Sequence, residues 1–78
     1  MHLGKLKWRS RRSILELDLY FDAFIKRSGL ENLSIEELHI YAKLLELEDG
    51  YLLLLFQGKE TMASLVEQKL VDKIRIRI

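Results

Sequence analysis

Apolar residues recur along most of this chain at the three- and four-residue spacing of helices, and the recurrence breaks at glycine, serine and acidic residues. Ile14, Leu17, Phe21, Phe24 and Ile25 fall at i, i+3, i+7, i+10 and i+11, which predicts a helix from about residue 14 to residue 28 with that stripe inward. Leu15, Leu19 and Ala23 form a second row, so this helix is either sandwiched or partly a contact surface. Lys26 and Arg27 suit the negative end of its dipole, and Gly29 suits a left-handed stop.

The next helix is expected after Ser34, because Ser34-Ile35-Glu36-Glu37 reads as a capping box, with Leu33 and Leu38 at staple positions. Leu38, Tyr41, Leu44 and Leu45 make its inward stripe. Asp49 is the expected N-cap of a short helix that Gly58 stops. That helix contains Tyr51 to Phe56, a run of bulky apolar residues covering the whole circumference. Not all of them can face one core, and an exposed part would suit a partner or a weak homo-oligomer. A last helix is expected over residues 61–74, with Met62, Leu65, Val66, Leu70 and Ile74 inward. Residues 3–11 are expected as a short helix with Leu3, Leu6 and Trp8 inward, and residues 75–78 as an extended or frayed tail.

These elements predict an all-α fold: a small single-domain bundle of four to five short helices over residues 1–78, with a basic N-terminal arm at 1–10. The absence of proline favours uninterrupted helices. At 78 residues the domain buries only about 60% of its unfolded surface, and no cysteine is present to staple it. Stability must come from apolar packing. No apolar run reaches the roughly 18 residues of a membrane span. The first residues lack the apolar core of a secretory signal, and the expected location is the cytoplasm.

Net charge is only +1, but it is unevenly placed. Lys5, Lys7, Arg9, Arg11 and Arg12 make the first twelve residues wholly basic, whereas residues 13–60 carry ten acids against four bases. A basic arm on an acidic body implies a charged partner or an internal contact.

Catalytic and metal chemistry find little support. The two histidines, His2 and His39, are far apart in sequence and make no ligand cluster, and His39 reads as a surface or half-buried structural residue. No nucleophile has a base and orienting group placed beside it, and neighbouring acids on a helix diverge by about 100°. The four glycines are isolated, so there is no phosphate loop. The chain reads as no enzyme, with no stably bound cofactor and no metal.

The informative stretch is Arg11-Arg12-Ser13-Ile14-Leu15-Glu16-Leu17-Asp18, where the basic arm meets the acidic bundle. Its local reading is a second capping box, with Ser13 capping and Glu16 complementing the dipole. With Trp8 before it, the stretch also resembles the arginine-arginine-glycine-x-x-glutamate-leucine-aspartate pattern of the succinate dehydrogenase assembly factors, the SdhE or YgfY flavinator family. Leu44-Leu45-Glu46 with Glu48-Asp49 is similar to the family's second pattern, leucine-leucine-glutamate before an acidic turn. The resemblance covers about residues 8–56 without gaps. Ser13 stands where the family has glycine, Gly50 where it usually has proline, Tyr51 where it has a second aspartate, and Leu55 where it usually has tryptophan.

The resemblance implies a five-helix bundle that docks on the flavoprotein subunit of succinate dehydrogenase or fumarate reductase and promotes covalent attachment of FAD to it. By position it implies partner contacts at Trp8, Arg11, Arg12, Ser13 and Glu16, and secondarily at Asp49. The alternative is a nucleic-acid-binding or antitoxin-like interaction module using the arm, where Trp8 would stack and the cations would meet phosphates. The acidic body opposes that alternative, and no helix has a basic face long enough for groove readout.

Overall fold

A computed structural model describes residues 2–76. The helices are α1 (Leu3–Arg9), α2 (Leu15–Lys26), α3 (Ile35–Leu44), α4 (Asp49–Phe56) and α5 (Leu65–Arg75), with a single 3-10 turn at Leu30–Asn32. The described residues contain no strand, so the all-α expectation holds. α2 packs on α4 and α5, and α5 also packs on α3 and α4. The Cα radius of gyration is 11.3 Å, close to the roughly 11.5 Å of a single packed domain of this length.

One core joins all five helices. Leu6 enters from α1; Leu17, Tyr20, Phe21 and Phe24 come from α2; Leu38, Tyr41 and Leu44 from α3; Leu52, Leu55 and Phe56 from α4; Leu70, Val71 and Ile74 from α5. Its centre is aromatic. Phe21 meets Tyr41 and Phe56 edge-on at 6.0 and 5.2 Å, and Phe24 stacks on Tyr41 at 6.0 Å.

The inward stripe of α3 and its capping box form as expected. Ser34 Oγ accepts the Glu37 amide at 3.1 Å, and Glu37 Oε1 accepts the Ser34 amide at 3.1 Å. Lys73 bonds the same carboxylate, which together with the Ser34 amide holds the Glu37 pKa below its usual value. Gly58 ends α4 in the left-handed region at φ 79°, with the Lys59 amide reaching back to the Leu54 carbonyl.

Several expectations shift. The left-handed residue after α2 is Ser28, at φ 59°, and Gly29 follows it. Gly29 is needed for space instead: a Cβ there would lie 2.5 Å from the Phe24 ring. Trp8 points outward with 75% of its surface exposed. It lies two residues past the buried Leu6, about 200° around the helix. Asp49 does not cap α4; the cap position is Glu48, without a side-chain bond, and Asp49 is the first helical residue. α5 starts at Leu65 rather than near residue 61, and Leu65 and Val66 are exposed while Val71 takes an inward place. Leu65 sits five residues before Leu70, about 140° away from it around the axis.

The second row of α2 faces solvent at Leu15 and Leu19, as do Tyr51 and Leu54 on α4. Of the tail expected at 75–78, Arg75 is instead the last residue of α5 and Ile76 has extended backbone; residues 77 and 78 lie outside the described residues.

Candidate functional site

The link between α1 and α2 carries the site, and Arg12 determines its shape. The Arg12 amide donates to Asp18 Oδ1 at 2.9 Å, so α2 receives its incoming chain through Asp18. Ile14 is the N-cap residue, and no side chain caps the helix; the box expected between Ser13 and Glu16 does not form. The Arg12 side chain turns inward and is only 13% exposed. Its Nη1 donates to Asp49 Oδ1 at 3.2 Å, and its Nη2 donates to the carbonyls of Arg9 at 2.9 Å and Leu45 at 3.0 Å. The guanidinium carbon lies 5.6 Å from the Phe21 ring centroid. One side chain thus ties the end of α1, the end of α3, the start of α4 and the aromatic core to a single point.

Ser10 makes a second tie. It is almost fully buried; its Oγ donates to the Leu6 carbonyl at 2.7 Å and lies 2.5 Å from Tyr41 Oη. A serine hydroxyl has one proton, so Tyr41 must be the donor of the second bond. α1 is therefore pinned to α3 beside the point where Arg12 pins it to α4.

Burial pushes the Tyr41 hydroxyl up to about 12, against the opposing effects of the Ser10 bond and the Arg12 charge. Folding therefore keeps this tyrosine neutral. Its contribution is fully present below the unfolded value of about 10 and is lost as pH rises through about 12. The difference amounts to about 2–3 kcal/mol. Urea midpoints of the wild-type chain should fall more steeply than those of Tyr41→Phe over that alkaline window, and parallel curves would contradict this assignment.

The six residues singled out from sequence divide into two groups. Arg12 and Asp49 meet each other inside the fold. Trp8, Arg11, Ser13 and Glu16, on either side of Arg12 along the chain, stay exposed. Glu16 bonds Gln57 Nε2 at 3.3 Å, which links α2 to the end of α4. Ser13 does not have a positive φ, so its backbone conformation does not require glycine there. Arg11 stands beside a groove between α1 and α2 that Ser10, Asp18 and Asp22 also line. Periodicity placed Tyr41 inward, but neither its bond to Ser10 nor that of Gln57 to Glu16 had a sequence signal, because the partners lie 31 and 41 residues apart. Asp18 did have one, as the last residue of the arginine-to-aspartate stretch.

Among the described residues no cluster of histidine, cysteine or carboxylate ligands is arranged for a metal, and no helix is long and apolar enough to cross a membrane.

The profile of a family described as flavinator of succinate dehydrogenase matches residues 4–77. The chain belongs to this flavinator family. Among its relatives is the FAD assembly factor SdhE of Shewanella oneidensis, 32% identical over 77 residues, which span 99% of this chain and 93% of that one. No solved structure matches the chain. Membership covers essentially the whole bundle, including α1, whose short basic helix carries Trp8, and α5, which the sequence patterns had not reached.

Proposed function

We propose that this flavinator promotes covalent attachment of FAD to the flavoprotein subunit of succinate dehydrogenase or fumarate reductase, as an assembly factor without catalysis of its own. The observation that carries the reading is the edge of chain over residues 8–16, where Trp8, Arg11, Ser13 and Glu16 are exposed while Arg12 between them is tied to Asp49. The edge contains an aromatic ring, a cation and a carboxylate, which suit a protein surface. Ser13 supplies its one exposed hydroxyl, and no histidine or cysteine stands in it. The contribution is orientation: holding the client so that flavin and acceptor side chain meet can lower a barrier by several kcal/mol. FAD is handled on the client, and this chain keeps no cofactor. The work takes place in the cytoplasm.

Arg12 and Asp49 act in this reading as a brace that presents the edge. Their ion pair also reduces the free charge of the arm, as does the pair of Lys7 with Glu31 at 3.3 Å. A protein client therefore fits better than a nucleic acid, whose binding depends on many free cations.

Trp8→Ala and Glu16→Ala should each lower covalent flavin in the client several-fold, read as flavin fluorescence on a denaturing gel. Both variants should unfold within about 0.5 kcal/mol of the wild type, because both side chains are exposed. Full flavin attachment by the two variants would remove the edge from the mechanism.

A further inference from the structure

Two leucines on the outer face of α2 have no cover. Leu15 is 72% exposed, and Leu19 is 41% exposed. Residues four apart on a helix adjoin on one face. Each stands two residues from fully buried Leu17, about 200° around the axis and away from the core stripe. Half-buried Ala23 extends the row, and the Asp22–Lys26 pair at 3.0 Å ends it with charges that cancel. Leu15 also belongs to the docking edge, between Ser13 and Glu16 in the chain. The row therefore starts inside that edge, and Leu19 carries it one turn further along α2, past the last residue of the edge.

We propose that Leu15 and Leu19 form the apolar centre of client docking, and that the flavoprotein subunit covers the outer face of α2 with an uncharged, apolar recess. The inference rests on the docking function proposed above and adds where the client lies and what surface it presents. The buried middle of a docking patch is depleted in charge and ringed by polar groups. The row has that composition, and Arg11 and Glu16, with Trp8 nearby, supply charged and aromatic neighbours along the chain at its start. Other covers fit less well. Two leucines and an alanine fall far short of the roughly 800 Å² per partner that a stable dimer buries. α2 carries Glu16, Asp18 and Asp22 against Lys26, whereas helices that lie on membranes are rich in cations.

The test measures binding of the full chain to the apo flavoprotein subunit by titration calorimetry, alongside covalent flavin in that subunit. Leu15→Gln and Leu19→Gln should each weaken binding about tenfold. Glutamine is a good helix former, so both should melt close to the wild type. Leu19→Met should bind like the wild type, because it restores an apolar side chain of similar volume. Leu65→Gln is the control: Leu65 is 70% exposed but lies on α5, and its loss should leave binding unchanged. The chain has no cysteine, so Leu19→Cys and Leu65→Cys each carry a single thiol. Bound client should slow maleimide labelling of the first at least tenfold and leave the second unchanged.

Leu19 decides the outcome. If Leu15→Gln weakens binding while Leu19→Gln binds normally and the Leu19→Cys thiol stays reactive in the complex, docking stops at the edge and the inference is overturned. If both glutamine variants bind normally while Trp8→Ala or Glu16→Ala binds poorly, the inference is overturned and the docking edge stands. If all of these variants bind and flavinylate normally, the docking function itself fails. If the two glutamine variants alter only self-association, read by light scattering, the row is a face between copies and the inference is likewise overturned.

Discussion

Arg12→Ala is expected to cost about 3 kcal/mol of stability and to lower the melting temperature by about 12–24 °C. The variant loses an ion pair, two bonds to carbonyls and a cation over the Phe21 ring, and it leaves Asp49 without its cation. Breaking a buried pair typically costs about 3–5 kcal/mol. The lower end applies here, because Asp49 is 30% exposed and water can reach it. The whole domain should hold only about 4–12 kcal/mol, so a loss of this size removes a large share. Thermal melts by circular dichroism check the magnitude. A double-mutant cycle with Asp49→Asn should show coupling of about 0.5–3 kcal/mol, as expected for side chains in contact.

Flavin attachment by Arg12→Ala should fail near its own melting temperature and return well below it. That pattern separates Arg12 from Glu16, whose loss should impair attachment at every temperature. A variant that melts with the wild type and still fails at low temperature would move Arg12 from brace to direct contact with the client.

Short-range chemistry was the most legible part of this fold. The Ser34–Glu37 capping box, the inward stripe of α3 and the stop at Gly58 depend on residues within a turn or two of one another, and each forms as read. Boundaries moved where two neighbours could fill one role. Ser28 and Gly29 both tolerate the end of a helix, and only the Phe24 ring decides which must lack a side chain. Ser13 and Ile14 both stand before α2, and the helix starts one residue later than the serine box would place it, with Asp18 accepting the Arg12 amide rather than Ser13 capping.

The site was legible as a location but not as a division of labour. An arginine in a basic arm beside an acidic body reads as exposed, because that is where most arginines are. Nothing local indicates that the carbonyls of Arg9 and Leu45 and the carboxylate of Asp49 converge on it, since two of these lie 33 and 37 residues away. The outward row of Leu15 and Leu19 was left open by periodicity for a related reason: a stripe shows which residues share a face, and only the neighbouring elements decide whether that face is covered.

Phe21→Ala should be the most damaging single truncation, costing about 3–5 kcal/mol. The side chain is almost fully buried and reaches every part of the site: its ring packs edge-on against Tyr41 and Phe56, lies under the Arg12 guanidinium and closes the floor of the groove. Against a total of about 4–12 kcal/mol, this loss removes a large share, and at the low end of that range it leaves a chain partly unfolded near room temperature. Near-UV circular dichroism, which reports fixed aromatic packing, should fade, and the urea midpoint should fall sharply. Phe21→Leu keeps much of the volume but gives up the ring, so it should cost distinctly less than the alanine change while still loosening Arg12. Combining Phe21→Ala with Arg12→Ala should cost less than the two losses added, because the contact between them is removed by either change alone. Strict additivity would mean that the brace and the core hold independently, and that the presented edge does not rely on the aromatic centre beneath it.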